Sequence, residues 1–553
     1  MSTLPDIIDE SVIERGGLKI YTTLDLELQE KAEKIISDHA LASEKEWNAS
    51  NAALVALDPK NGDIISMVGS RGYSDPDIDG KYNIALAKRQ PGSAFKPIIY
   101  ATAFEQGYTP DTVVFDTQTQ FGTDCPVGSM SDTPPCYAPS DYDGLYKGPM
   151  RLRNALAESR NVPAVKLFYM VGIQTALSKA KAAGISTLAD ANHYGLTLVV
   201  GGGEVTLLDL TSAYGSFAND GTHVAARAIT RVEDENGTVI ATVESKGDPV
   251  FSPEAVRELN DVLSDNVART PLFGAQSGLY FAGTPVAAKS GTTNNNKDAW
   301  LIGYTPNLVV GVWSGNNNNT PMKKGSAINI RPWRAYFDAA FTKIPYEPFI
   351  APAPISPDTK PILRGVWQGG DTFTIDTVSG GLATDLTPQE TRKEFVASPN
   401  PHDILHWITR GNVTGPSPSN PASDNQYARF EFGAQNWIAL HPETIQTTQK
   451  PNFHDNIHTE ENMPKITQLD CEGISSGTVH CEASVEHEEP LMSFTVSVNG
   501  IKALTQTQSN SMISFDIPVL DFIENTEAGF EITLTVTDTV YSKASETVLT
   551  TLQ

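Results

Sequence analysis

Ser93 and Lys96 stand three residues apart in RQPGSAFKPIIY, with Pro91 before them and Pro97 directly after. Residues at i and i+3 share a helical face, so a helix here lets the two side chains meet. Pro97 locates the start of that helix, because proline lacks an amide proton and is tolerated only in the first turn. Ser93 is therefore expected at or near the helix amino terminus, where unpaired amides and the positive end of the dipole favour negative charge. A serine oxygen attacking a carbonyl needs that help, and a lysine with a lowered pKa can serve as its base. Taken alone, the pair reads more simply as a helix cap beside a solvated lysine. Ser178 and Lys181 in LSKAKAAG repeat the spacing without the prolines, and both are expected to face water.

Two distant clusters change the reading. Ser159, Arg160 and Asn161 in ALAESRNVPAV put a hydroxyl and an amide just before Pro163, at an expected turn or helix junction. Lys289, Ser290 and Gly291 end the apolar run PVAAKSG and continue into Thr292 and Thr293. Glycine on a strand lets another chain or ligand approach the backbone closely, and a lysine with hydroxyls there suits a carboxylate. Ser264, Asp265 and Asn266 compete with the first cluster. However, SPEAVRELNDVLSDNV reads as one amphipathic helix with Val256, Leu259 and Leu263 inward and Ser264 turned away. Gly201–Gly203 read as a tight turn, since no GK[ST] follows to make a phosphate loop. His402 with His406 and His454 with His458 have HxxxH spacing but read as incidental exposed pairs. No metal ligand set and no cofactor is read from the sequence, and no acid pair marks a glycosidase.

The elements that must position these residues follow from periodicity. GLKIYTTLDLELQEKAEKIISDHAL reads as a strand and then a helix, with Leu26, Leu28, Ala32 and Ile35 on one face. AALVALDPKNGDIISMVG reads as a hairpin around Asn61 and Gly62. Helical patterns cover Phe95–Gln106, Leu152–Val171 and Ile173–Ala183. PVAAKSG and DAWLIGYTPNLVVGVWSG form a second strand group, and helices between separated strand groups predict an α/β (α+β) layered domain to about Pro348. Beyond it, FIAPAPISPDTKP and GPSPSNPASDN read as linkers or long loops, with a β-prone region between them. From about Asn456 the chain shows short alternating strands, including a hairpin at Asn499 and Gly500, as in a small β-sandwich.

At 553 residues and 40% hydrophobic content, the chain has material for several cores. A net charge of −26 argues against a nucleic-acid partner, whose phosphates need clustered lysine and arginine. No stretch approaches the run of about 18 apolar residues expected of a membrane span, and MSTLPDIIDES has neither the basic start nor the apolar stretch of a signal peptide. Cys125 with Cys136 and Cys471 with Cys481 form two close pairs, which suits disulfides and an extracytoplasmic setting, with free thiols as the alternative.

Taken in order, SxxK, SxN and K[ST]G resemble the three motifs of the penicillin-recognising serine acyltransferases. GGLKIYTTLDLELQ, RQPGSAFKP, LRNALAESRNVPAV, GGGEVTLLDLTSAYGSFAN, KSGTTNNNKDAWLIGYTP and PHDILHWI look like the transpeptidase half of class A (bifunctional) penicillin-binding proteins. The resemblance is strong from Gly17 to Pro348 and weak to about Trp437. It implies the penicillin-recognising transpeptidase fold, an antiparallel sheet flanked by helices, followed by a C-terminal all-β domain. The implied organisation is an N-terminal linker segment (1–48), a transpeptidase domain (49–348), a β-rich extension (349–455) and an Ig-like β-sandwich (456–553). By resemblance, Ser93 is the acylated nucleophile and Lys96 its base. Ser159 would relay protons between Lys96 and Lys289, and Asn161 would hold the substrate amide. Lys289 would keep the field positive, while Ser290, Gly291, Thr292 and Thr293 bind the substrate's terminal carboxylate region. The amides of Ser93 and Thr292 would form the oxyanion hole.

The implied activity is D,D-transpeptidation of peptidoglycan stem peptides on lipid-linked precursor strands, with β-lactams as imitators of the donor. A D,D-carboxypeptidase, a β-lactamase and a non-turnover β-lactam sensor or wall-binding protein are the alternatives. Family members carry a membrane anchor and a glycosyltransferase domain before this point. With about 16 residues ahead of GGLKIYTT, this chain is expected to lack both, the anchor being missing and glycan polymerisation with it.

Overall fold

The structure, a computed structural model, describes residues 4–551 apart from 6, 371, 446–447, 476 and 524–528. Met1–Thr3 and Asp6, within the stretch expected not to be a signal peptide, lie outside the described residues. The chain divides into two units, Met1–Trp367 with His402–Pro442 and Gln368–Pro401 with Glu443–Gln553.

The first unit is built on five antiparallel strands: β1 (Asn51–Leu57), β2 (Ile64–Val68), β3 (Ala287–Thr292), β4 (Asp298–Thr305) and β5 (Leu308–Gly315), in the order β3-β4-β5-β1-β2. β1 and β2 are the expected hairpin, with Gly62 at φ +76° in its turn. Every residue of β1, β4 and β5 is buried, because helices cover both faces. Alternate side chains of β1 go to opposite cores, Ala53, Val55 and Leu57 to one and Ala52, Leu54 and Ala56 to the other, as the period of two in a strand requires.

On one face lies α1 (Leu26–Trp47), capped by Asp25, whose side chain accepts from the amide of Leu28. It buries Leu28, Ala32, Ile36 and Ala40 against the sheet. The segment 1–48 is thus not merely a linker, since its helix packs Leu28, Ala32, Ile36 and Ala40 into one of the two cores. The buried stripe runs at i+4, so Ile36 rather than Ile35 takes the inner position, and Leu26 is exposed.

The opposite face carries α2 (Lys96–Glu105), α3 (Leu152–Ala157), α4 (Asn161–Val171) and the helices Ile173–Ala182, Leu207–Ala218 and Pro253–Ser264. The helical pattern over Leu152–Val171 is broken between α3 and α4, where Ser159 adopts φ +59°. SPEAVRELNDVLSDNV is likewise two helices and not one: Pro253–Ser264 buries Val256, Leu259 and Leu263, and Asp265 then caps Asn266–Phe273 by accepting from the amides of Val267 and Ala268. A carboxylate able to cap the next helix overrides the continuing periodicity.

The region 349–455, expected as one extension, is shared out between the units. The helix Tyr427–Leu440 buries Phe430 and Ala434 within the first unit, whereas the strand pair Thr372–Asp376 and Arg392–Val396 belongs to the second. The rest of the second unit is an antiparallel β-sandwich of a three-stranded and a four-stranded sheet. Val479, Cys481, Ala483 and Val485 alternate inward from one sheet, and Phe530, Ile532, Leu534 and Val536 from the other, the pattern of sandwich packing. Cys471 pairs with Cys481 directly across two strands, and Cys125 with Cys136 closes a loop of the first unit; both pairs are disulfides. Among the described residues no helix is long and apolar enough to cross a membrane.

Candidate active site

Ser93 lies in a 3-10 turn, Gly92–Phe95, that runs straight into α2, with Pro97 in the helix's first turn. Glycine at three places lets this turn pack on its neighbours. A Cβ on Gly291 would sit 2.2 Å from Pro91 O, one on Gly92 2.5 Å from Thr292 O, and one on Gly201 2.2 Å from Gly92 N. β3, the edge strand, can therefore lie directly against the serine turn. Two long-range bonds hold the turn from behind: Tyr214 OH donates to Ala94 O at 2.7 Å and Trp300 Nε1 to Gln90 O at 2.8 Å.

Lys96, three residues after Ser93 and the first residue of α2, is wholly buried. Its Nζ donates to Ser159 O at 2.7 Å, Arg160 O at 2.8 Å and Asn161 Oδ1 at 2.9 Å. Burial pushes its pKa down to about 7, so both the ammonium and the free amine exist near neutral pH. Lys289 on β3 is buried too, and its Nζ donates to Ser159 Oγ at 2.8 Å and to Ser290 O at 2.9 Å. Burial first, and the neighbouring Lys96 second, hold Lys289 well below the usual lysine range. Ser159 thus touches both lysines, one through its carbonyl and the other through its hydroxyl. Its left-handed backbone is a conformation that costs a non-glycine residue on the order of 1 kcal/mol or more and recurs at functional sites.

Arg160 explains how that conformation is kept. Its side chain is fully buried among three aspartates. Nε donates to Asp116 Oδ2 at 3.0 Å, Nη1 to Asp143 Oδ2 at 2.8 Å, and Nη2 lies 3.3 Å from Asp141 Oδ2. Asp141 also accepts the amide of Asn161. Burial opposes charge on Arg160, yet Asp141 and Asp116 hold its pKa above the usual value. Burial and the nearby Asp141 push Asp116 up to about 7, as expected when two carboxylates share one site. Sequence reasoning assigned no role to Asp116, Asp141 or Asp143. They stand apart from any motif in an acid-rich chain, and no local signal marks them.

Ser93, Ser159, Asn161, Ser290, Thr292 and Thr293 line one cavity of about 630 Å³. Thr292 Oγ1 accepts the amide of Ser326 at 3.0 Å, leaving its own proton free to donate. Thr293 N donates to Asp298 O at 3.1 Å on β4, so strand alternation turns the Thr292 amide toward the open edge. A Cβ on Gly92 would lie 2.9 Å from that nitrogen, which places it beside Ser93. The Thr293 hydroxyl, by contrast, accepts from the amide of Asp298 at 2.8 Å and so helps close the strand turn.

The competing residues stay outside. Ser178 and Lys181 are exposed on the helix Ile173–Ala182. Ser264 donates to Asn260 O at 2.7 Å within its own helix, and Asn266 donates to Ala275 O at 2.9 Å. Gly201, at φ +95°, ends a 3-10 turn against Gly92. The expectation of exposed histidine pairs is corrected. His402 and His406 are partly buried with rings stacked 3.7 Å apart, and His458 is 1% exposed while His454 is exposed.

A cavity with a serine at a helix start and two buried lysines that meet at a bridging serine defines a serine acyl-transfer site. Residues 52–329 match the family model of the penicillin binding protein transpeptidase domain; the chain belongs to that family. It is 32% identical over 314 residues to penicillin-binding protein 2D of Bacillus subtilis, covering 56% of this chain and 42% of that protein. With penicillin-binding protein 1A of Clostridium acetobutylicum it shares 29% identity over 383 residues, 67% of this chain and 45% of that protein. The chain thus spans less than half the length of these relatives. Among solved structures, PonA1 of Mycobacterium tuberculosis in complex with penicillin V superposes with a TM-score of 0.53 at 24% identity, covering 63% of this chain and 92% of that one. Penicillin-binding protein 1A of Haemophilus influenzae gives a TM-score of 0.52 at 20% identity over 70% of this chain and 73% of that one; both likenesses concern the fold.

Proposed function

We propose that this chain is a peptidoglycan D,D-transpeptidase working in the cell envelope, acting on stem peptides of lipid-linked strands and acylated by β-lactams. The observation that carries the reading is the convergence of two buried lysines on Ser159 in the cavity that Ser93 lines. In its free-amine form Lys96 takes the hydroxyl proton as Ser93 Oγ attacks the carbonyl carbon of the penultimate D-Ala. The amides of Ser93 and Thr292 hold the developing oxyanion. The D-Ala-D-Ala bond breaks, and the leaving nitrogen receives the proton by way of Ser159. An amine of a neighbouring strand then attacks the Ser93 ester, and the serine recovers a proton. Lys289 holds the Ser159 hydroxyl in place, and Ser290 with Thr292 takes the terminal carboxylate. Asn161 orients Lys96 and the substrate amide. A β-lactam opens its ring in the first step but keeps its leaving group tethered, so the ester persists.

A fluorescent penicillin tests the assignment. Labelling is expected in the parent and in Ser178→Ala and absent in Ser93→Ala; a Ser93→Ala chain that still labels overturns the reading. Product analysis with and without an amine acceptor then separates transfer from hydrolysis. Release of D-Ala with no cross-linked product assigns a carboxypeptidase, and no D-Ala release assigns a sensor.

A further inference from the structure

A second cluster of reactive side chains lies in the other unit, at the end of the strand Thr372–Asp376. Asp376, Asp455 and His458 present ligand-capable atoms within 4.8 Å of one another, and all three side chains have no solvent exposure. His458 Nε2 is 2.9 Å from Val540 O. A carbonyl only accepts, so Nε2 carries the proton. Nδ1 then faces Asp455 Oδ2 at 2.6 Å and Asp376 Oδ2 at 3.7 Å. A bare lone pair aimed at two carboxylates is repulsive, and something positive must sit there.

A proton on Nδ1 satisfies only part of the cluster. It bonds to Asp455, which already accepts from the Thr387 hydroxyl at 2.6 Å and the Ile457 amide at 3.0 Å. Asp376 Oδ1 remains without a hydrogen-bond partner although Asp376 is fully buried. Asp538 Oδ2, on a residue 1% exposed and two before the Val540 whose carbonyl meets His458, is unpartnered as well. Buried carboxylate oxygens left bare are costly. With a proton, the trio of Asp376, Asp455 and His458 keeps a net negative charge; with a divalent cation on neutral imidazole it is balanced.

We propose that Asp376, Asp455 and His458 bind one divalent transition ion of the zinc type. One imidazole nitrogen and a few carboxylate oxygens suit zinc, whereas calcium takes six or more oxygens. The bond from Nε2 to the Val540 carbonyl is the outer contact that orients a metal-binding histidine. Ligands about 2.1 Å from a tetrahedral ion lie about 3.4 Å apart, so the oxygens draw in slightly and the Asp455 to Nδ1 contact opens. The ligands come from the end of one strand and from the connection leading into the sandwich. Asp538 ends the strand Phe530–Asp538, and Val540 lies in the turn after it. With the ligands shut from solvent, the ion would be structural, tying these segments together.

The full chain is stripped with a chelator, given Zn2+, desalted and assayed for metal and for thermal unfolding. About one Zn2+ per chain and a Tm rise of about 2–8 °C are expected. Asp376→Asn and His458→Gln should abolish both, while Glu460→Gln, an exposed acid nearby, should change neither. Because a variant could fail to fold, Co2+ is added to the stripped parent, where visible bands of a tetrahedral nitrogen and oxygen site are expected. A parent that retains no stoichiometric Zn2+, or shows no such Co2+ bands, overturns the proposal and leaves the imidazolium reading. Undiminished uptake by a folded His458→Gln chain overturns it too.

Discussion

Arg160 Nε donates to Asp116 Oδ2 at 3.0 Å with both side chains fully buried, directly behind the loop whose carbonyls hold Lys96. The arginine in the middle of the Ser159–Asn161 triplet therefore faces the protein and lets its neighbours face the cavity. Its charge is the anchor of a strained turn.

Arg160→Met removes the partner of three carboxylates. Breaking a buried pair from one side costs about 3–5 kcal/mol, so a marked fall in Tm is expected. Misplacing the lysine's acceptors should slow β-lactam acylation by about 10²-fold and shift its pH profile, since Lys96 loses its fixed surroundings. Stopped-flow acylation across pH checks this; a variant that is less stable but keeps the parent's pH profile would confine Arg160 to stability.

The pKa of about 7 for Lys96 sets the direction of the pH dependence. The free amine is the base, so acylation should rise with pH and pass half its limit near pH 7, and Lys96→Arg should abolish it. Because this pKa falls from 10.5 on folding, the folded chain binds fewer protons than the unfolded chain between about pH 7 and 10.5. The lysine's contribution to stability therefore improves with rising pH across that window. Acylation rates that fall through neutrality would remove Lys96 as the base.

Gly291→Ala puts a methyl group 2.2 Å from Pro91 O. The strand and the serine turn must separate, at a cost of about 1–3 kcal/mol. Displacement of Ser93 from the Thr292 amide should lower the acylation rate by about 10²-fold, read from the rate of fluorescent penicillin labelling. An unchanged rate would mean that the close approach of β3 is not used in the chemistry.

Ser264→Ala removes only bonds from the hydroxyl to Asn260 O and Asp261 O within its own helix. Acylation should be unchanged and stability altered by no more than about 0.5 kcal/mol, as thermal unfolding would measure. A large rate loss would return Ser264, Asp265 and Asn266 to the site.

Much of this was legible in the chain. Pro97 marked the helix start, the Asn61-Gly62 turn marked the hairpin, and the short alternating strands from about Asn456 marked the sandwich. The readings that failed were those where a long-range partner overruled a local pattern. The periodicity of Leu152–Val171 continues across Ser159, but Asp116 and Asp141 break it by claiming Arg160. The spacing of His454 and His458 is that of an ordinary exposed pair, yet only His458 meets Asp376 and Val540.

By itself, the order of residues determined which side chains could react and where helices and strands begin, because propensity, capping and the period of two or 3.6 are properties of neighbours along the chain. Only the tertiary structure decided which of them are changed by their surroundings. Lys96 and Lys181 each follow a serine by three residues; one is buried against carbonyls and driven toward neutrality, the other stays in water. Desolvation and charge pairing depend on what packs around a group, and those neighbours come from distant parts of the chain.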